Sequence, residues 1–99
     1  MKRIVITGMG LVSPLGCGTE AVWQSLLAGK SGISALPEEM VQDISCKVAG
    51  RVPTLAQDPQ HGFDPERVIA AKDRKKMDRF IVFAMAAAHD ALTQAHWLP

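Results

Sequence analysis

The feature that most limits how this chain can fold lies at its start, where a short apolar run meets a glycine-rich stretch. Ile4, Val5 and Ile6 form a β-branched run without polar alternation, which is typical of a strand covered on both faces. Four glycines follow within eleven residues, so the backbone must turn tightly or pass close to a neighbour that a Cβ would block. A buried strand, a glycine-rich turn and a helix indicate the opening of an α/β layered domain.

A first helix is predicted from about residue 20 to residue 28. Thr19 is a suitable N-cap, Glu20 places a carboxylate in the first turn, and Gly29 suits the position after the helix end. An apolar stripe at helical spacing is expected to cover the first strand; it consists of Val22, Trp23, Leu26 and Leu27.

The middle of the chain has weaker patterns. Residues 33–43 keep no period and read as a surface connection. The weak alternation over Cys46–Val52, ended by Pro53, predicts a short edge strand. Residues 53–66 are predicted to form a loop, and Asp64 before Pro65 predicts a helical turn that extends to about residue 70.

The longest predicted element is a helix from about Lys72 to Ala95. Apolar residues recur there at three- and four-residue steps, and many of them are alanines that permit close helix packing. Because further apolar residues lie off this stripe, the helix is apolar over more than half its circumference. We therefore expect it to be buried in an assembly larger than these residues.

Composition excludes several classes of protein. The chain has 99 residues, enough for one small domain, and its net charge of +1 gives no global signal for nucleic acid or membrane binding. Cys17 and Cys46 lack the spacing of a disulfide framework or a zinc site. No apolar run reaches the length of a signal-peptide core or a membrane span, so a cytoplasmic protein without metal or cofactor is expected.

One local charge cluster stands out from this neutral background. Residues 72–79 carry a net charge of +3, whereas the other residues sum to −2. On the predicted long helix, Lys72, Lys75, Lys76 and Arg79 would share one flank of the first turns. Positive charge at a helix N-terminus opposes the macrodipole, so the cluster is poorly placed for helix stability, and an acidic partner would explain it. A solvated helix end is the simpler alternative.

No catalytic constellation is found. His61, His89 and His96 have no nearby serine or cysteine in a turn that would present a nucleophile, and we interpret them as structural or surface residues. Cys17 lies in a glycine-flanked turn, but no general base accompanies it. The stretch from Gly8 to Ser13 falls one glycine short of the dinucleotide fingerprint, and Pro14 follows where the phosphate-binding helix should run, so nucleotide binding is a weak alternative.

Three segments in order carry a resemblance to a known family. They are residues 5–16 (VITGMGLVSPLG), 23–33 (WQSLLAGKSGI) and 75–80 (KKMDRF). The chain resembles, from end to end, the start of the bacterial β-ketoacyl-acyl-carrier-protein synthases, chiefly the synthase II group, within the condensing-enzyme or thiolase family. The resemblance implies a thiolase-like layered α-β-α-β-α fold of which residues 1–99 are the amino-terminal segment. It also implies a homodimer.

The activity implied by the resemblance is elongation of acyl chains by decarboxylative condensation with malonyl-carrier protein. In the family, the nucleophilic cysteine in a Thr-Ala-Cys context and two catalytic histidines lie further along the chain. Cys17 and Cys46 do not match that context, so no catalytic residue is assigned here. We expect residues 1–99 alone to be poorly stable and catalytically inert.

The resemblance does imply a partner-binding surface. Family members use basic residues just ahead of the Lys-Met-Asp motif to contact the acidic acyl carrier protein. The matching positions here are Lys72, Lys75 and Lys76, with Arg74 as a neighbour. A non-catalytic carrier-binding remnant, or a piece resembling a chain-length factor, would use the same surface and is the main alternative function.

Overall fold

The computed structural model describes residues 2–97, which contain three α-helices and four short strands. The helices are α1 (Thr19–Leu27), α2 (Ala71–Arg74) and α3 (Arg79–Gln94), and 3₁₀ turns occupy Glu38–Met40 and Pro65–Arg67. The strands are β1 (Val12–Ser13), β2 (Gly16–Cys17), β3 (Ile33–Ala35) and β4 (Val48–Gly50). Helices and small sheets thus occur together, as the α/β class requires. The described strands pair as two antiparallel ribbons, β1 with β2 and β3 with β4.

The buried strand predicted at Ile4–Ile6 does not form in the described chain, so this prediction is wrong. This segment has no regular secondary structure, and Ile4 is 96% exposed. A strand needs a neighbour for its backbone N–H and C=O groups, and no described strand lies beside these three residues. Their β-branched character therefore has no sheet in which to be buried.

The glycine-rich stretch makes a close contact with α3. A Cβ on Gly8 would overlap the carbonyl oxygen of Ala91, and a Cβ on Gly10 would overlap that of Ala87. Between them, the Met9 N–H donates to Gln94 Oε1 at 2.7 Å. The expected close approach of the backbone is confirmed, and so is the prediction that the alanines of the last helix allow close packing.

The remaining glycines of the opening stretch belong to a hairpin that the sequence pattern did not reveal. Strands β1 and β2 pair Val12 with Cys17 and Ser13 with Gly16, around a turn at residues 14 and 15. Ser13 Oγ accepts a hydrogen bond from the Leu15 N–H at 3.1 Å and donates to the Gly16 carbonyl at 3.1 Å. Gly16 has φ 127°, a conformation that favours glycine.

Helix α1 lies within one residue of its predicted bounds at either end, but its N-cap is Gly18 and not the predicted Thr19, and no side chain caps it. Only Val22 of its predicted apolar stripe is buried, whereas Trp23, Leu26 and Leu27 are exposed by 56%, 55% and 63%. The stripe was expected to cover the first strand. Because no such strand forms among the described residues, most of the stripe has nothing to cover.

The two ribbons differ in how well the sequence predicted them. Strand β4 falls inside the predicted edge strand Cys46–Val52, and β3 is its partner, with Ser34 opposite Ala49. Strand β3 lies where a surface connection was expected. Its three residues are all exposed, so no buried face produces the alternation by which a strand is recognised.

A small core joins the loop at residues 53–66 to α3. Its buried members are Phe63, Ile69, Val82 and Ala86. The rings of Phe63 and Phe83 pack edge to face, with centroids 4.8 Å apart and planes at 79°. The predicted turn at Pro65 is confirmed, because Asp64 Oδ1 accepts a hydrogen bond from the Glu66 N–H at 3.0 Å and caps it.

The single long helix predicted from residue 72 to residue 95 is wrong, since it is divided into α2 and α3. Asp78 has extended backbone angles (φ −72°, ψ 158°), and its carbonyl accepts from the N–H groups of Ile81 and Val82. Asp78 is therefore the N-cap of α3. Before it, the Lys76 and Met77 N–H groups donate three residues back, to Asp73 and Arg74, which is the tighter 3₁₀ pattern.

The described chain has a larger accessible surface and a larger radius of gyration than a compact protein of its length. Its accessible surface is 7797 Å², against about 5500 Å² for a compact protein of this mass. Its radius of gyration is 16.0 Å, whereas a compact domain of similar length has about 13 Å. Much of the excess surface is apolar.

None of the helices in residues 2–97 has the length and hydropathy that a membrane span requires.

Candidate functional site

The basic residues singled out by the sequence lie on α2 and the turn that follows it, residues 71–78, which we name the basic turn. Lys72, Lys75 and Lys76 are all exposed. Within residues 2–97, none of their ammonium groups makes a hydrogen bond or an ion pair. Three cations therefore face solvent together without a described intramolecular partner.

The break before α3 changes the electrostatic reading of this cluster. On an unbroken helix the lysines would have occupied its first turns and opposed the macrodipole. Instead α3 begins at Arg79, and the lysines precede its N-cap, Asp78, whose carboxylate suits that helix end. Arg79 itself lies over the Phe83 ring, with Cζ 5.1 Å from the centroid. The lysines therefore destabilise α3 less than their position on one unbroken helix would have done.

Arg74 is separated from the lysines by its orientation. Its side chain is only 22% exposed, its Nη2 lies 3.8 Å from Glu66 Oε1, and its Nε is buried without a hydrogen-bond partner among the described residues. Within α2, at about 100° per residue, Arg74 points to the side opposite Lys72. The structure leaves the three lysines exposed and directs Arg74 towards Glu66 and the cavity wall.

Behind the basic turn lies a cavity of about 600 Å³. Arg74 and Arg79 contribute to its wall together with Glu66, and most of the remaining lining is apolar: Leu55, Phe63, Pro65, Met77, Val82 and Phe83. The positive charges of the two arginines are matched in the wall by the carboxylates of Asp64 and Glu66. The wall of the cavity therefore carries charges of both signs and favours an ion of neither sign.

Apolar packing and one ion pair hold the basic turn and the residues before it against α3. Ile69, just before α2, is 5% exposed and packs in the core with Val82 and Ala86, and Met77, just after α2, packs against the same cluster. Arg67 Nη2 lies 3.1 Å from Asp90 Oδ2 on α3. The sequence analysis missed Arg67 and Asp90, because a pair 23 residues apart leaves no periodic signal.

Cys17 is close to charged groups but is not activated by them. Burial is the main cause that raises the pKa of the Cys17 thiol above 9.0; Arg67 lowers it in part, and Asp90 and Asp58 raise it further. A smaller cavity of about 270 Å³ joins Cys17 to His61, Arg67 and Asp90. Cys17 and His61 are joined by a backbone hydrogen bond, from the Cys17 N–H to the His61 carbonyl at 2.8 Å, and no hydrogen bond between the thiol and the imidazole is found in residues 2–97.

The cysteines and the opening glycines have defined surroundings in the part of the chain that the structure describes. Residues 2–97 contain no cluster of His, Cys, Asp or Glu that could hold a metal ion. Cys17 and Cys46 are both free thiols. Gly8 and Gly10, which suggested a dinucleotide fingerprint, are explained by their contact with α3, so they are not required for close approach to a phosphate.

Comparison with known proteins gives one consistent family. A sequence model described as "Beta-ketoacyl synthase, N-terminal domain" matches residues 1–99. The chain is 44% identical over 99 residues to a 3-oxoacyl-[acyl-carrier-protein] synthase 2 of Rhizobium meliloti, covering 100% of this chain and 23% of the relative. It is 41% identical over 91 residues to the protein of the same name from Vibrio cholerae, covering 92% and 20%.

A polyketide enzyme is among the relatives as well. A "Putative polyketide beta-ketoacyl synthase 2" of Streptomyces halstedii is 36% identical over 94 residues, which are 95% of this chain and 21% of the relative. The chain spans between a fifth and a quarter of the length of these relatives.

Proposed function

This chain belongs to the β-ketoacyl synthase family, and we propose that residues 1–99 form the amino-terminal part of a fatty-acid condensing enzyme and supply its docking surface for acyl carrier protein. The enzyme would extend acyl chains by decarboxylative condensation with malonyl-carrier protein. The observation that carries the proposal is the trio Lys72, Lys75 and Lys76, exposed together and without a described intramolecular partner. The names of the first relatives include an acyl carrier protein.

The chemistry of the lysines suits an acidic protein partner. Exposed ammonium groups steer the encounter with an anionic surface more than they strengthen the final complex, and salt screens them over about 8 Å. Because the basic turn precedes α3, its lysines can adjust to a partner without disturbing the helix. Arg74, directed towards the cavity, is assigned a supporting position.

The reacting groups are proposed to lie outside the residues described here. A condensing nucleophile must be a thiolate, and the raised pKa of the Cys17 thiol disfavours that form. The Cys46 thiol donates to the Val48 carbonyl at 3.3 Å and has no base beside it in the described chain. Residues 2–97 are thus assigned scaffold and docking roles alone.

The thiolase-like layered α-β-α-β-α arrangement is proposed for the larger domain. Two observations support it: the exposed β-branched segment Ile4–Ile6 and the surface excess of the described chain. In the complete domain this segment would gain neighbouring strands, and the exposed stripe of α1 would be covered. The homodimer implied by the resemblance stays a prediction.

The docking role is tested by charge reversal. Lys72→Glu, Lys75→Glu and Lys76→Glu are combined, and association with an acyl carrier protein is measured by stopped flow between low and physiological ionic strength. We expect the association rate at low salt to fall at least about tenfold and its salt dependence to flatten. Lys30→Glu, an exposed lysine elsewhere, is the single-charge control. An unchanged association rate in the triple variant contradicts the proposal.

A polyketide role is the second candidate, and the Streptomyces relative favours it. A polyketide synthase would use the same carrier-docking surface, so binding of acyl carrier protein does not distinguish this role from fatty-acid synthesis. A condensation assay with the complete gene product decides between them. A single round of elongation of a saturated acyl group supports the first role, and repeated condensation without reduction supports the second. No condensation supports the non-catalytic carrier-binding alternative.

A further inference from the structure

We infer that the Arg67–Asp90 ion pair is a positioning element that sets the orientation of the basic turn for its acidic partner, an inference that rests on the docking function proposed above. The pair joins the turn at Pro65–Arg67 to the second half of α3, with Nη2 and Oδ2 3.1 Å apart. Among the described residues it is the one ion pair that links segments distant in sequence.

The other anchors of the basic turn cannot perform this role. Ile69 and Met77, on either side of α2, attach it to the core through apolar contacts, which oppose separation but are not directional. The Arg74 contact with Glu66 joins α2 to the 3₁₀ turn just before it, so it does not orient either of them relative to α3. A guanidinium–carboxylate hydrogen bond is directional, and Arg67 supplies it from a position five residues before Lys72.

The two side chains of the Arg67–Asp90 pair differ in burial. The Asp90 side chain is 22% exposed and sits on α3, whereas the Arg67 side chain is 49% exposed and belongs to the loop. The helix therefore holds the fixed end of the pair and the loop holds the movable end. Losing the pair leaves the lysines exposed and charged but releases one directional restraint on their arrangement.

The sign of the change in binding distinguishes a positioning role from a purely electrostatic effect of the lost charge. Asp90→Asn makes the chain more positive, so long-range electrostatics alone predicts tighter binding to an acidic protein. A positioning role predicts weaker binding, because the lysines are less well ordered when the partner arrives. The matched control is Asp43→Asn, which makes the same change of charge at an exposed residue without a described ion pair.

The experiment measures association and dissociation rates of an acyl carrier protein with the full chain. We expect Asp90→Asn to bind about twofold to fivefold more weakly, as loss of a partly exposed pair allows, with the change in the dissociation rate. Asp43→Asn should bind as well as the unmodified chain or better. Asp90→Glu keeps the carboxylate and should recover at least half of the lost affinity.

The inference is overturned if Asp90→Asn binds as tightly as Asp43→Asn, or if Asp90→Glu is as weak as Asp90→Asn. Should Asp90→Asn fail to fold, Arg67→Gln tests the pair from the other side, and it must bind more weakly than Lys30→Gln, which carries the same change of charge. The triple lysine reversal is included in the same assay. If it leaves binding intact, the docking function fails; if it weakens binding while Asp90→Asn does not, only the positioning role fails.

Discussion

Gly8 lies directly against the backbone of Ala91, where the added Cβ of any other residue would overlap the alanine carbonyl oxygen. Gly10 stands in the same relation to Ala87, one turn earlier on α3. The opening segment is therefore held to the last helix by two glycines that face two alanines. Met9 adds one hydrogen bond to this crossing.

Replacing Gly10 with alanine should destabilise the described fold. The new Cβ has no space beside the Ala87 backbone, so either the opening segment or α3 must move. Overpacking of this kind costs about 1–3 kcal/mol. Urea unfolding followed by circular dichroism measures the loss, and Met9→Ala, which keeps the backbone N–H and removes an exposed side chain, should change stability by less than about 0.5 kcal/mol. Equal effects of both variants would contradict the close-packing assignment.

Arg74→Gln should affect stability more than carrier binding. Its guanidinium lines the cavity behind the basic turn and is paired at 3.8 Å with Glu66, whereas the three lysines face solvent. We expect binding of acyl carrier protein to weaken no more than it does in Lys30→Gln, measured at the same ionic strength. A loss as large as that of Lys75→Gln or Lys76→Gln would place Arg74 in the docking surface itself.

The Cys17 thiol should react slowly and should link stability to alkaline pH. Its pKa is raised in the folded chain, so folding favours the neutral thiol. That contribution to stability is complete below the pKa of the unfolded thiol and is lost as the pH rises through the higher folded value. Stability measured above pH 9 should therefore fall less in Cys17→Ala than in the unmodified chain, and iodoacetamide should label Cys46 before Cys17. Preferential labelling of Cys17 would contradict this assignment.

Phe63 and Phe80 offer a matched test of where the core lies. Phe63 is 8% exposed and packs on Phe83, whereas Phe80, one turn before Phe83 on α3, is 69% exposed. Phe63→Leu should cost about 1 kcal/mol or more through lost contacts, and Phe80→Leu should cost less than about half of that. Thermal unfolding of both variants measures the difference. A larger loss for Phe80→Leu would mean that the described core is incomplete or misplaced.

Local signals in the sequence predicted those elements that depend on neighbouring residues. The extent of helix α1, with Gly29 just after its end, and the Asp64-capped turn were both confirmed, whereas Thr19 was wrongly predicted as the N-cap of α1. Each is defined within a few residues by capping and proline geometry. The close approach at Gly8 was foreseen only in general form, since a glycine-rich stretch predicts either a tight turn or a contact that a Cβ would block, and does not name the neighbour.

Elements that depend on distant residues could not be predicted in this way. The strand expected at Ile4–Ile6 needs neighbours that residues 2–97 do not supply, and the exposed ribbon of β3 and β4 lacks the alternation of a half-buried sheet. The Arg67–Asp90 pair joins residues 23 positions apart. At the candidate site, the sequence singled out the lysines but did not reveal that the helix is interrupted beside them. The spacing of residues 72–95 fits one continuous helix, and only the extended backbone of Asp78 divides it.

The extended backbone at Asp78 has an evolutionary consequence. A residue inserted into or deleted from a continuous helix rotates everything beyond it by about 100°. Since α3 restarts at its own N-cap, such a change within residues 71–77 would leave the register of Val82 and Ala86 intact. The length and charge of the cationic segment can therefore change without altering the phase of the helix that carries the core.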